Sequence, residues 1–247
     1  MSGKSVIFYG SKGGCGCSFI SYCVASYLAQ KKDKNILLID LGLASYSSRA
    51  VFDLMESDVK DLGDISRKSR QIDITLLKNL VVNTDSTLNL ILPPLNTGIN
   101  FLSQLDLSNF LDKVSQYFDI ILIDLPFSFF HSLSRELLKE VERMVIVSSP
   151  SMVSVNNLNL ILSKINQDKL GLGTDLVINK YNLRPSISPS AINSYVNHPI
   201  KAFIPYDKDI DFLFLSKGPA SIFKYNLRIT NSIASFSNSL YGEIGYV

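Results

Sequence analysis

Seven short, almost unbroken apolar runs punctuate the chain, at 5–9, 35–41, 88–92, 119–125, 144–148, 175–179 and 201–204. Strict alternation of apolar and polar positions would suit a sheet with one wet face. Continuous Val/Ile/Leu runs instead suit parallel strands covered by helices on both faces. Between the runs, residues such as Phe110, Leu111, Val114, Tyr117 and Phe118 recur at helical spacing, and an early helix is predicted to end near Gln30. Alternating strand and helix signals predict βαβ units and an α/β fold: one doubly wound, mainly parallel sheet with helices on both faces. No Pro/Ser-rich linker or internal repeat divides the chain, so residues 1–247 read as a single domain. The basic stretch Arg67-Lys68-Ser69-Arg70 is too short to be a basic tail.

The strongest local signal is Gly10-Ser11-Lys12-Gly13-Gly14-Cys15-Gly16-Cys17-Ser18, between the first predicted strand and the first helix. Glycines there let successive backbone N–H groups converge on phosphate oxygens at a positive helix N-terminus. Against the pattern G-x-x-x-x-G-K-[ST] the stretch has one extra residue, or Ser11 takes the first glycine position, and Cys17 stands where the lysine belongs. The backbone cradle from Gly13 to Ser18 survives, and the Ser18 hydroxyl remains for Mg²⁺. The same glycines would also serve a plain tight strand-to-helix turn.

These residues resemble the MinD/ParA family of deviant Walker-type P-loop ATPases, whose loop reads K-G-G-x-G-K-[ST]. Lys12-Gly13-Gly14-Cys15-Gly16 matches all but the last lysine. The resemblance implies that Lys12 is the signature lysine, which in an ATP-bound sandwich dimer reaches the phosphates of the opposite subunit. It extends along the chain. The run 35–42 looks like V-L-L-I-D-x-D, with Asp40 at the first aspartate and Gly42 in place of the second. The run 118–126 is similar to Y-D-x-I-I-I-D-x-P, whose aspartate, here Asp124, lies near Mg²⁺. Val177-Ile178-Asn179-Lys180 resembles V-x-N-[RK], whose asparagine reads the adenine edge. Phe203-Ile204-Pro205-Tyr206-Asp207 and then Ser216-Lys217-Gly218-Pro219 resemble the I-P-x-D and x-x-G-x-P segments that close over the base.

The resemblance thus implies an ATP and Mg²⁺ site built from Ser11, Lys12, Gly13, Gly14, Cys15, Gly16, Cys17, Ser18, Asn179, Pro205 and Asp207. Ser18 and Asp124 would hold the metal, and Lys12 and Asp40 would be the catalytic candidates. Both departures fall on chemistry: Cys17 is neutral where a lysine binds β/γ-phosphate oxygens, and Gly42 has no carboxylate to position water. Phosphoryl transfer depends on positioning and charge stabilisation, so losing such a cation lowers the rate by roughly 10²–10³ or more. Weak or absent hydrolysis is expected. Taken as residues alone, Asp40 and Asp124 also suit strand ends that cap the next turn, and Asn179 suits a turn. Cys17 is either a reactive thiol at a helix N-terminus or a space filler.

Composition narrows the partners. The chain is 46% hydrophobic and 19% charged with a net charge of +2, far from the dense positive face of a nucleic-acid protein. Lys201, Lys208, Lys217, Lys224 and Arg228 are diluted by Asp207, Asp209 and Asp211, so DNA binding is disfavoured. Three cysteines within nine positions and two histidines, His131 and His198, suit neither a disulfide framework nor a zinc site. Leu227, Ile229, Ile233, Phe236 and Leu240 form a helical stripe opposed by Ser, Asn and Thr, which reads as a docked helix and not a basic membrane anchor. With no signal peptide or apolar stretch long enough to span a bilayer, a cytoplasmic location is expected, with recruitment to the inner membrane face or pole by partners.

Asp40-Leu41-Gly42-Leu43 looks like the D-L-D-L of the TadZ/CpaE-like branch. The resemblance therefore implies a homodimeric, ATP-binding, weakly or non-hydrolysing scaffold that positions pilus or other cell-envelope machinery. A working ATPase switch for division, flagella or DNA, and a scaffold without nucleotide, are the other two readings.

Overall fold

The computed structural model describes residues 3–42, 47–55, 59–64, 74–84, 88–95, 107–128, 138–167, 171–184 and 186–245; the basic stretch 67–70, Leu43 and His131 lie outside them. Eight strands are described: β1 (Lys4–Gly10), β2 (Ile36–Asp40), β3 (Val81–Asn83), β4 (Asn89–Ile91), β5 (Ile120–Leu125), β6 (Arg143–Ser148), β7 (Gly173–Asn179) and β8 (Ile200–Ile204). They form one sheet in the order β3-β4-β2-β5-β1-β6-β7-β8. Every pairing is parallel except β3 with β4. Each of the seven predicted runs coincides with a strand to within two residues at either end. The unanticipated one, β3, is a three-residue edge strand with no fully buried position.

Alternate residues of each inner strand feed opposite layers. Ile7, Leu37, Ile39, Ile121, Ile123, Ile146 and Ile178 pack on one face with Phe110 and Val114 of the helix Leu107–Val114 and Leu158 of the helix Met152–Gln167. Val6, Phe8, Leu38, Leu122, Val145 and Val177 pack on the other with Ile20, Val24 and Leu28 of α1 (Cys17–Lys31). This two-sided burial explains the continuous apolar runs.

α1 is buried nearly all round because it lies between the sheet and the helix Arg228–Glu243, whose Ile229, Ile233, Phe236 and Leu240 enter the same core. Burying each such side chain is worth about 1.5–3 kcal/mol, which commits the predicted stripe to the interior; Leu227 is that helix's half-exposed cap. Charges fasten its far end: Arg143 donates two hydrogen bonds of 2.9 Å to Asp175 and pairs with Glu243 at 3.0 Å, and Glu243 also pairs with Lys201. No helix among the described residues is long and apolar enough to cross a membrane.

The chain winds outward from β1 on one side and, after returning through β5, outward through β6, β7 and β8 on the other. The carboxyl ends of β1, β2, β5 and β7 therefore meet where an open parallel sheet places its ligand crevice.

Candidate functional site

β1 ends at Gly10, and the loop to α1 is held from beneath. Ser11 donates its N–H to Val147 O at 2.8 Å, and its carbonyl accepts from Asn157 Nδ2 at 2.9 Å. The Ser11 hydroxyl lies 3.1 Å from Ser148 Oγ and 2.6 Å from Ser154 Oγ, in a fully buried cluster. Ser11 thus anchors the loop: its N–H continues the β1–β6 ladder and its side chain is turned inward.

Past Ser11 the loop opens. Lys12 is half-buried on its shoulder, and Gly13 and Gly14 are exposed. Gly14 and Gly16 take φ of 76° and 88°, where other residues are strained. A Cβ on Gly16 would stand 2.2 Å from Asn179 Nδ2. α1 starts at Cys17 without a side-chain cap, and the amides of Gly13, Gly14, Gly16 and Ser18 have no acceptor among the described residues. Free amides converging on a helix N-terminus favour an anion.

Beside this cradle, β2 and β5 place Asp40 and Asp124 directly in register at their carboxyl ends. Both are almost wholly buried. Asp40 accepts from Tyr22 Oη at 2.6 Å and from Gly42 N at 2.8 Å. Its carboxylate is occupied in holding α1 and the turn after β2, so the catalytic expectation for Asp40 becomes a positioning one. Burial pushes its carboxyl up, and the Tyr22 and Gly42 bonds oppose the shift. The Ser48 hydroxyl lies close enough to favour ionisation of both Asp40 and Tyr22 but makes no hydrogen bond of good geometry.

Asp124 is pushed up to about 7 by burial first and by the Asp40 charge second; the neighbouring side chains of Ser18, Cys17 and Ser21 oppose the shift. Ser18 and Asp124, expected to share a metal, do stand together. The Cys17 thiol is driven well above its ordinary range by burial and by Asp124. That is the opposite of what a reactive thiolate needs, so Cys17 fills space.

Among the described residues no three His, Cys, Asp or Glu side chains are arranged to hold a metal. The oxygen set Ser18 and Asp124 suits Mg²⁺, a hard cation that takes one or two protein ligands and completes its shell with phosphate and water.

On the other flank, Asn179 closes β7. Its Nδ2 donates to Cys15 O at 3.0 Å and its Oδ1 accepts from Lys180 N at 3.0 Å. Only 1% exposed, it ties the loop to the sheet, leaving one N–H for any base. With Phe19, Lys180, Pro205, Tyr206 and Asp207 it lines a cleft of about 40 Å³, room for water and not for a purine.

The Asp207 carboxylate accepts from Asp209 N and Ile210 N at 3.0 and 3.1 Å and caps the helix Lys208–Lys217. That helix carries the chain about 15 Å onward. Ser216 to Pro219, expected over the base, accordingly lie elsewhere, lining a separate cavity of about 500 Å³ with Val51, Phe52 and Asp53.

The sequence reading missed Tyr22 and Ser21. Their signal was present: Ser18, Ser21 and Tyr22 fall at i, i+3 and i+4, one face of α1. It missed Ser148, Ser154 and Asn157 because only the tertiary fold brings them to Ser11.

Comparison with known proteins agrees with this geometry. The family described as "AAA domain" matches residues 3–178. The virulence plasmid ParA family protein pGP5-D of Chlamydia psittaci is 27% identical over 178 residues, 71% of this chain and 66% of that protein, just under two thirds of its length. The crystal structure of a ParA family ATPase from Chlorobium tepidum TLS superposes with a TM-score of 0.80 at 23% identity, covering 97% of this chain and 99% of that one. The septum site-determining protein MinD of Pyrococcus horikoshii OT3, complexed with Mg-ADP, gives 0.75 at 19% identity, covering 99% and 98%. The chain belongs to this AAA-domain family and has the fold of the ParA and MinD structures.

Proposed function

We propose that the chain binds ATP with Mg²⁺, hydrolyses it weakly or not at all, and acts as a homodimeric positioning scaffold of MinD/ParA type. The observation that carries this reading is the pairing of an intact cradle with a charge-deficient centre. The amides of Gly13, Gly14, Gly16 and Ser18 remain free for phosphate, while Asp40 and Asp124 have no ammonium from position 17 beside them. Ser18 and Asp124 would hold Mg²⁺, which supplies charge neutralisation to the phosphates. Lys12 would serve the partner subunit, and Asn179, Pro205 and Asp207 would flank the base once their cleft opens.

Binding is weakened by the lost ammonium, and turnover suffers more. Transition-state stabilisation by a fixed cation is worth several kcal/mol and has no substitute in a thiol. Gly42 adds the loss of a water-positioning carboxylate. We place the protein in the cytoplasm, brought to the inner membrane face or a pole by partners. The Chlamydia psittaci relative points to a virulence-plasmid setting; the resemblance of Asp40-Leu41-Gly42-Leu43 to the TadZ/CpaE-like branch supports pilus or other envelope machinery as cargo. DNA as a direct ligand is disfavoured: of the five late basic residues, Lys201 is paired with Glu243, and Arg228 lies over the Tyr181 ring.

Calorimetric titration with ATP and Mg²⁺ tests the reading. Saturable heat, weakened in Asn179→Ala, supports a nucleotide-holding scaffold. No heat up to millimolar ATP leaves an interaction scaffold without nucleotide.

A further inference from the structure

Lys180 is one of two residues other than glycine with φ in the left-handed region among the described residues, at 58°. A side chain there is strained, and asparagine or glycine would sit more easily. Strain of this kind persists only where the surroundings impose it. Here they do so in a chain of two bonds: Lys180 N–H donates to Asn179 Oδ1, and Asn179 Nδ2 donates to Cys15 O in the glycine loop.

The consequence is a direction. Lys180 Cε lies 3.7 Å from the point a Cβ on Gly16 would occupy, so the half-buried side chain runs along the loop. It lines the cleft with Asn179 and Pro205. Asp207 and Asp211 line the same cleft, yet the Lys180 ammonium makes no hydrogen bond or ion pair with them or with any other described residue. A cation is thus held against the backbone of an anion cradle whose own lysine position is Cys17, with carboxylates nearby that it does not engage.

We infer that Lys180 supplies, from the end of β7, a positive charge to the phosphate chain of the bound nucleotide, replacing in part the ammonium absent at Cys17. This rests on the reading of the loop as a nucleotide site. A lysine suits the task because its flexible stem delivers a point charge with three donors. Its left-handed backbone aims that stem back over Gly16.

The test compares Lys180→Asn, which removes the charge and suits the left-handed backbone, with Lys180→Arg, which keeps it. Binding of Mg-ADP is measured calorimetrically, and adenosine is measured by competition against a fluorescent ADP analogue. The expected result is a loss of about tenfold in Mg-ADP affinity for Lys180→Asn, with adenosine unchanged and Lys180→Arg within about threefold of wild type. The melting temperature of Lys180→Asn, expected to equal or exceed wild type, shows that the loss is not one of folding. Unchanged Mg-ADP affinity in Lys180→Asn, or an equal loss for adenosine, overturns the inference while leaving the nucleotide site intact. Failure of wild type to bind either probe overturns both.

Discussion

Asp40 and Asp124 stand side by side at the carboxyl ends of adjacent parallel strands, in register and buried, and no Lys or Arg among the described residues pairs with either. Two carboxylates so placed resist ionising together, because burial penalises each charge and each penalises the other. Much of what distinguishes this chain follows from that pair.

The first consequence is a pH dependence of stability. An aspartate at 3.8 unfolded and about 7 folded binds more protons in the folded state between those values. Its contribution therefore falls as pH rises from about 4 to about 7. Asp124→Asn removes the titration, so its stability relative to wild type should climb over that window, by on the order of a few kcal/mol, and level off above it. Urea unfolding at a series of pH values measures the difference; a flat difference would remove the charge conflict from the account.

Among the described residues Tyr22 is the one side-chain hydroxyl that donates to Asp40 with good geometry, at 2.6 Å. Tyr22→Phe preserves shape and leaves that oxygen without its donor. A buried acceptor so orphaned destabilises by about 1–3 kcal/mol. The midpoint of urea unfolding at pH 8 should fall accordingly, and an unchanged midpoint would mean the bond carries no net stability.

Gly16 has to be glycine on two counts, its φ of 88° and the approach of Asn179 Nδ2 to 2.2 Å of a Cβ position. Gly16→Ala should cost about 1–3 kcal/mol in strain and displace the Asn179 bond to Cys15. Thermal unfolding reads the first effect, and loss of ATP binding without loss of secondary structure by circular dichroism reads the second.

The sheet was legible because buried parallel strands write themselves as unbroken apolar runs; β3 was not, since three half-exposed residues at an edge carry no such run. At the candidate site, the glycine loop and Ser18 could be picked out from local spacing, whereas Asp124 was singled out by the resemblance of its strand to a family motif. The partners of Ser11 and Asp207 were not legible: each lies at a motif position, and a buried serine cluster in one case and a helix start in the other engages the side chain. Tyr22 and Asn157 act across the fold, on Asp40 and on Ser11, and only packing reveals them.

Returning the ammonium tests the assignment of the lost chemistry. Cys17→Lys places a charge beside Asp124 and facing the cradle, and should tighten Mg-ATP binding by about tenfold or more. Cys17→Lys with Gly42→Asp should raise turnover by on the order of 10²–10³ over wild type. Calorimetry and phosphate release measure the two, and equal turnover in the double variant would show that neither position limits hydrolysis.

The central claim is nucleotide held without being consumed, and a single-turnover experiment addresses it most directly. Protein in excess over γ-labelled ATP and Mg²⁺ is passed over a desalting column and the bound label is resolved with time. The account predicts that label elutes with the protein and remains ATP. Release of labelled phosphate at the pace of an ordinary ATPase, abolished by Asp124→Ala, would contradict it.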